Sequence, residues 1–411
     1  MNILVLNPGS STLKFGLYQI AGLSEISATS VSATVLVSGS IELIGTPQAK
    51  LTMSVAAQKA VSETVAAQTP VKAVEQTIRR LLAYAGENSR AAMTIAAVGC
   101  RVVHGGARFV EPTRVTPSVL DELRALADLA PLHNPVAVAV LEQVQRSLPE
   151  TPLIAVFDTA FHRTLPPVAY TYALPVELCA RYGLRRYGFH GLSHAYVSRQ
   201  LIGYLGHGAG GTKIVTCHLG NGASVCALAD GQSVDISMGF TPLEGLVMGT
   251  RSGDVDPGLI LYLIRTAGMT ASAVDSLLNH DSGLRGLSGL SGDLRDVEQA
   301  ALEGNAQAEL ALEIFAYRTR KYIGAFAAAL AGLDAVAFTG GIGEHSASMR
   351  SRICQGLEFL GLGLEEARNK TANGRAAMRI SVESSPVQIW VIPTDEAQEI
   401  ARSTAEQFRD L

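Results

Sequence analysis

The chain is short of charge, of paired cysteine and of long apolar runs. Only 17% of its residues are charged, the net formal charge is -4, and no stretch collects lysine or arginine. Neither nucleic acid nor an anionic membrane is therefore an implied partner, and small molecules remain. The five cysteines, Cys100, Cys179, Cys217, Cys226 and Cys354, are scattered and form no Cys-x-x-Cys pair. That spacing excludes a disulfide framework and points to reduced thiols in a cytosol. The N-terminal apolar run, Ile3 to Leu6, breaks at Asn7-Pro8, too short for the core of a signal peptide. Ile323 to Leu333 is the most apolar later stretch, but it carries two glycines and stops at Asp334. It falls well below the ~20 residues of a membrane span.

Hydrophobic residues, by contrast, make up 47% of 411 positions. This is enough for two cores and a subunit interface, so a two-domain oligomer is expected. Aliphatic runs alternate with segments of helical period, the pattern of an α/β protein. Strands are expected at Ile3 to Leu6, Lys14 to Tyr18, Leu153 to Phe157, Ile214 to His218, Ser224 to Leu228, Ala335 to Phe338 and Gln388 to Val391. Helices are expected at Val71 to Ala85, Pro117 to Ala130, Val136 to Arg146, His194 to Leu205, Pro257 to Ala267, Glu309 to Ala331 and Asp395 to Arg409. No low-complexity linker separates the halves, and the proline-rich "LPPVAYTYALP" of residues 165 to 175 is the candidate crossing between domains.

"NPGSSTLK", residues 7 to 14, has the composition of a phosphate cradle. A Walker loop would run G-x-x-x-x-G-K-[ST] into a helix, whereas Lys14 here leads into Phe15-Gly16-Leu17-Tyr18, a strand. The turn instead offers backbone NH groups, the hydroxyls of Ser10, Ser11 and Thr12, and the Lys14 ammonium. An ordinary hairpin turn would favour the same residues. "TKIVTCHLGNGASVCALAD" repeats the plan of strand, Asn/Gly/Ser turn and strand, which reads as an internal duplication with a hairpin opening each half.

Further motifs follow in order: "GCRVVHGG" with Arg101 and His104, "APLHNP" with His133, "IAVFDTAFH" with Asp158 at a strand end, and "RYGFHGLSH" with His190 and His194. Then come "HLGNGAS", "MGFTPLEGLVMGTRSGDVDPG" with Arg251, "SGLSGDLRDV", "VAFTGGIGEHS" and "VIPTDEAQEIAR" with Glu396. This ordered set, from Asn7 to Glu396, resembles the acetate kinase family and its near relatives the propionate kinases. "FDTAFH", "YGFHG" and "MGTRSGD" together make the resemblance specific.

The resemblance implies a two-domain actin, Hsp70 and sugar-kinase-like α/β fold. Each domain would have a duplicated βββαβαβα core, with an interdomain cleft and a homodimer. Residues 1–164 plus 396–411 would form the acetokinase domain, and residues 165–395 the nucleotide-binding domain. The implied activity is reversible phosphoryl transfer from ATP to acetate, giving acetyl phosphate and ADP, with Mg2+ or Mn2+, in the cytoplasm. The family's metal positions fall on Asn7 and Glu396, and its nucleotide lysine on Lys14. Arg101 matches the substrate-binding arginine, Asp158 the acid/base residue, and His190 and Arg251 the transition-state stabilisers. The small methyl pocket falls on Val103, Leu132, Phe189 and Pro242, with His133 near substrate. One ATP segment covers His218, Leu219, Gly220, Asn221 and Gly222, and another Asp293, Leu294 and Arg295. A third covers Gly341, Ile342, Gly343, Glu344 and His345. His345 stands where the family commonly has Asn, and Pro8 where another small residue is usual.

Chemistry supports that distribution. A phosphoryl group in flight carries its charge on three oxygens and needs cationic donors and a metal more than a strong base. The forked guanidinium suits Arg101 and Arg251 to the task. A carboxylate nucleophile, with a pKa of about 4 to 5, has no proton to lose at neutral pH. Asp158 is therefore expected to orient an arginine or the water shell of magnesium. Structural alternatives stand beside these roles: surface ion pairs for the arginines, a helix cap for Asp158, a dipole preference for Glu396, loop ordering for His104 and His133, and a structural role for His194. Zinc at His190 and His194 lacks both a His-Glu-x-x-His motif and a nearby third ligand. An Hsp70-like binding module would need a peptide-binding domain after the ATPase, and a polyphosphate hydrolase would need a water-activating carboxylate.

Overall fold

A computed structural model describes residues 1–9, 11–21, 32–55, 60–87, 94–131, 133–206 and 208–409. The chain divides into two compact units, Met1–Phe161 with Asp395–Leu411, and His162–Thr394. Ser10 and Leu132, both singled out in the sequence, lie outside the described residues.

The first unit is built on strands β1 (Asn2–Pro8), β2 (Leu13–Ala21), β3 (Ser32–Glu42), β4 (Lys50–Val55), β5 (Val61–Thr64), β6 (Ala97–Val102), β7 (Thr113–Arg114) and β8 (Leu153–Phe157). They form one sheet in the order β5-β4-β3-β2-β1-β6-β8-β7. β1, β2 and β3 are antiparallel neighbours, while β6 and β8 run parallel to β1. The second unit carries β9 (Lys213–Leu219), β10 (Ala223–Ala229), β11 (Gln232–Ile236), β12 (Ala335–Thr339), β13 (Met378–Arg379) and β14 (Gln388–Val391), in the order β11-β10-β9-β12-β14-β13. Here too an antiparallel triplet is followed by two parallel strands, β12 and β14. The two sheets share one connectivity, as the repeated hairpin suggested.

The central strands are buried throughout, as parallel strands covered on both faces must be. In the first unit helices Pro70–Glu87 and Asn134–Ser147 pack on each other, and Leu4, Leu6, Val98, Val140, Leu141 and Phe157 join one apolar core. Helix Glu396–Arg409, last in the chain, lies on β6, β1 and β2 with Ile400, Ala401 and Ala405 buried. Gly99 permits this approach, because a β-carbon there would stand 2.1 Å from Thr404 Oγ1. In the second unit helix Gly191–Leu205 lies on β9 and β12, and the long helix Ala306–Ala329 on β10 and β9. The first sheet is thus partly covered by a helix that comes after every strand of the second sheet.

One expected helix, Pro117 to Ala130, is shorter than its pattern. It ends at Ala125 and tightens into a 3-10 turn, Ala127–Leu129. Pro131 excludes the helical region for the residue before it, and Ala130 is non-helical at φ −147°, ψ 66°.

Candidate active site

In the first unit the chemistry gathers at the carboxyl ends of neighbouring parallel strands, where open α/β sheets expose loops and ends. Arg101 is the penultimate residue of β6, and Asp158 follows β8 directly. The Arg101 Nε donates to Asp158 Oδ1 at 3.0 Å and Oδ2 at 3.1 Å, and Nη2 donates to Oδ2 at 2.5 Å. Its remaining arm, Nη1, donates to Asn7 Oδ1 at 3.1 Å, and Asn7 Nδ2 donates to Glu396 Oε2 at 3.0 Å. The result is a line Asp158, Arg101, Asn7, Glu396 drawn from two strand ends, a hairpin strand and the last helix. Asp158 is 1% exposed and caps no helix; its carboxylate is given to the arginine fork.

Burial drives the Asp158 carboxyl above its usual range, with Glu396 adding to the rise and Arg101 pulling it back. Burial also works against the Arg101 charge, but Asp158 and Glu396 more than offset it and hold the guanidinium protonated. A lone buried charge would cost several kcal/mol, so each member depends on the other. Lys14 is exposed on β2, opposite Asn7 in the hairpin register. Val103 is buried beyond β6, and His133 stands at the N-cap of helix Asn134–Ser147. His104 accepts from Gly106 N through Nδ1, and its own backbone NH donates to Asn134 Oδ1. It therefore orders its loop.

In the second unit the β9–β10 hairpin and helix Gly191–Leu205 set a group of histidines together. His190 is the N-cap of that helix in the left-handed region, φ 57° and ψ 25°. A non-glycine residue held there is uncommon and marks a site fixed by its surroundings. Its Nδ1 lies 2.9 Å from Ser224 Oγ, and its ring centroid is 4.4 Å from that of His218. A β-carbon on Gly222 would stand 3.2 Å from His190 Nε2 and 3.7 Å from Arg251 Nη1. The imidazole and the guanidinium thus face the same point over the hairpin turn. Arg251 is steadied by Nη1 donating to Pro242 O at 2.8 Å, and burial lowers its pKa. Phe189 is buried, and its carbonyl accepts from His162 Nε2 at 3.0 Å. His194, fully buried, sits inside the helix with His190 outside it, which removes the one-face geometry a zinc pair would use. Among the described residues no group of three or more His, Cys, Asp and Glu could hold a metal ion.

The same unit contains a cavity of about 600 Å³. Gly220 and Asn221 of the hairpin turn line it, with Asp293, Leu294 and Arg295 at the start of helix Leu294–Leu302. Gly341, Ile342 and His345 of helix Gly340–His345 complete it. Of the other lining residues, Gly292 and Ser346 fall inside motifs singled out in the sequence but carried no assigned role there, and Glu298 falls outside every motif. Glu298 accepts from Ser346 Oγ at 2.7 Å, a pairing across 48 residues that no local pattern announces. Asp293 caps its helix by accepting from Arg295 N, and the side-chain bonds of Arg295 lower its pKa to about 2. His218, Leu219, Gly222, Gly343 and Glu344 do not line the cavity; they lie in the strand, turn and helix that shape it. Glu344 accepts from Gly340 N and Thr394 N. Arg350, fully buried, ties the end of that helix down by donating to Gly343 O, Glu344 O, Asn369 O and Ala372 O.

The sequence profile of the acetokinase family matches residues 2–402. An acetate kinase of Geobacillus sp. (strain WCH70) is 45% identical over 400 residues, covering 97% of each chain. One of Phocaeicola vulgatus is 45% identical over 406 residues, covering 98% of each. Among solved structures, the acetate kinase of Porphyromonas gingivalis superposes with a TM-score of 0.86 at 39% identity, covering 98% of this chain and 99% of that one. A propionate kinase of Francisella tularensis superposes with a TM-score of 0.87 at 37% identity and the same coverage. The two-unit α/β fold and the whole-chain match agree: the chain belongs to the acetokinase family, a family of phosphotransferases.

Proposed function

We propose that the protein transfers the γ-phosphoryl group of ATP reversibly to acetate, giving acetyl phosphate and ADP. The observation that carries the reading is the Arg101 fork, preset by Asp158 in a chain whose whole length matches acetate kinases. A guanidinium already fixed by a buried carboxylate loses little freedom when it grips a substrate anion. The acetate carboxylate, ionised at neutral pH, attacks the γ-phosphorus in line. One C–O–P linkage forms, the bond to the β-phosphate oxygen breaks, and no general base is required. Asp158 accordingly works as the holder of Arg101.

The 600 Å³ cavity of the second unit is the proposed nucleotide site. Arg251 and His190 are the proposed donors to the phosphoryl oxygens, and Lys14 a further phosphate contact. Mg2+, with Mn2+ as a substitute, fits the hard oxygen donors of Asn7 and Glu396. Such an ion asks for one or two carboxylates beside substrate phosphates and water, not a cage of side chains. When bound it would neutralise charge on the phosphates. Val103, Phe189 and Pro242, with Leu132, are the proposed acyl pocket.

A propionate preference is the second reading, supported by the Francisella tularensis likeness. One methylene is worth only ~1 to 3 kcal/mol of discrimination. Hydroxamate formation from ATP, hydroxylamine and acetate, propionate or butyrate, compared by kcat/KM, tests both readings. Phosphate release without any acyl acceptor, and no hydroxamate with one, would overturn them in favour of an actin-like ATPase. We also propose a homodimer, supported by helix Pro257–Arg265, an apolar segment none of whose residues is buried.

A further inference from the structure

The histidine group of the second unit contains a chain of hydrogen bonds whose direction is settled by counting protons. Thr216 Oγ1 lies 2.7 Å from His194 Nδ1, His194 Nε2 lies 2.8 Å from Ser224 Oγ, and Ser224 Oγ lies 2.9 Å from His190 Nδ1. Thr216, His194 and Ser224 are all completely buried. A hydroxyl has one proton to give, and a neutral imidazole has one N–H and one acceptor nitrogen. Among the described residues His194 Nδ1 is the partner of the Thr216 hydroxyl. A buried O–H without an acceptor costs about 1 to 3 kcal/mol, so Thr216 donates and His194 Nδ1 accepts. His194 is kept neutral by burial, with His162 and His218 nearby adding to the effect. Its proton is then on Nε2, donated to Ser224 Oγ. Among the described residues the remaining partner of Ser224 Oγ is His190 Nδ1, which therefore takes its proton.

We infer that Thr216, His194 and Ser224 form a one-way relay that fixes His190 in its Nε2–H form, as a neutral hydrogen-bond donor. They are positioning residues for the reaction, and the inference rests on the role proposed above for His190. Nε2 is the atom that faces the point over Gly222 shared with Arg251. His218, His194 and Arg251 are titratable or charged groups that stand near the ring in this unit. To become an imidazolium, His190 would have to put a proton on Nδ1. Ser224 and His194 would then turn round, and the Thr216 hydroxyl would be left facing an N–H. The relay therefore makes His190 supply direction, while positive charge is left to Arg251.

Nitrogen-15 spectra of histidine-labelled protein at pH 7.5, with the His190 signals identified by their loss in His190→Gln, test this on the resting protein. The expected spectrum shows Nε2 protonated and Nδ1 bare. Thr216→Val and Ser224→Ala should each mix the two tautomers and lower kcat at least about tenfold, with KM for ATP held within about twofold. Thr216→Ser, which keeps the donor, should restore both spectrum and rate. A wild-type His190 protonated on Nδ1, or on both nitrogens, overturns the inference whether or not the variants fold. So do variants with the wild-type spectrum. The spectrum needs no turnover, so a correct tautomer with no hydroxamate formed would sink the proposed activity alone. Hydroxamate formed with the wrong tautomer would sink the relay alone.

Discussion

Single side chains here work in pairs, and each pair predicts what its loss would do. Arg101 uses one edge of its fork on Asp158 and the other on Asn7, so Arg101→Ala should lower acetyl phosphate formation at least ~100-fold, the scale for one preorganised donor. Arg101→Lys should recover little of it, because an ammonium cannot bridge two carboxylate oxygens in that plane. Turnover assays with saturating ATP check both. Asp158→Asn should leave the pH dependence of turnover similar in shape while raising KM for acetate. An acid limb that disappears in that variant would mark a proton-transfer role instead. His162 responds to pH through stability. Burial lowers its pKa to about 4, so below the unfolded value near 6.5 the unfolded chain takes up a proton that the folded one refuses. Stability present above pH ~6.5 should be lost as the pH falls toward 4, by ~1.4 kcal/mol per unit for each such histidine. Denaturant melts across that window should flatten in His162→Gln.

Among the elements, those with a single strong period were legible and those with mixed signals were not. β8 and β12 read directly from five consecutive apolar residues or nearly so. β6 did not, because Gly99 and Arg101 interrupt it: one makes room for the last helix and the other holds Asp158 and Asn7. β4 and β5 extend the first sheet with short, largely uncovered segments, eight of whose ten residues are half-buried or exposed, so no continuous apolar run announces them. Much of the site was readable because its residues sit in short motifs at strand ends. The cavity wall at Glu298 and Ser346 was not, since it depends on two helices meeting. Arg350 was also missed, for burying an arginine among carbonyls has no local pattern. It donates to carbonyls at the end of helix Gly340–His345 and in residues 369 to 372, with no carboxylate among those partners. Arg350→Met should therefore cost on the order of 3 kcal/mol and raise KM for ATP, seen in chemical melts and ATP titrations.

For the molecule as a whole, one uncovered apolar helix, Pro257–Arg265, is the feature with the clearest consequence. Leu259, Leu261, Tyr262 and Ile264 are 37% to 59% exposed on one helix. A soluble monomer rarely shows such a patch, and a second copy of the chain is the proposed cover. Tyr262→Glu combined with Leu261→Glu should shift light-scattering mass from about two chains to one. An unchanged dimer would place the contact elsewhere.

The last helix also governs how the chain is made. Translation delivers β1 to β8 first, yet the layer that seals β6, β1 and β2 is synthesised after every strand of the second sheet. Until residues 396 to 409 leave the ribosome, β6, β1 and β2 lack that layer, and Asn7 waits for Glu396. A nascent chain stalled shortly before that point should be protease-sensitive in its oldest segment, the reverse of ordinary domain-by-domain maturation.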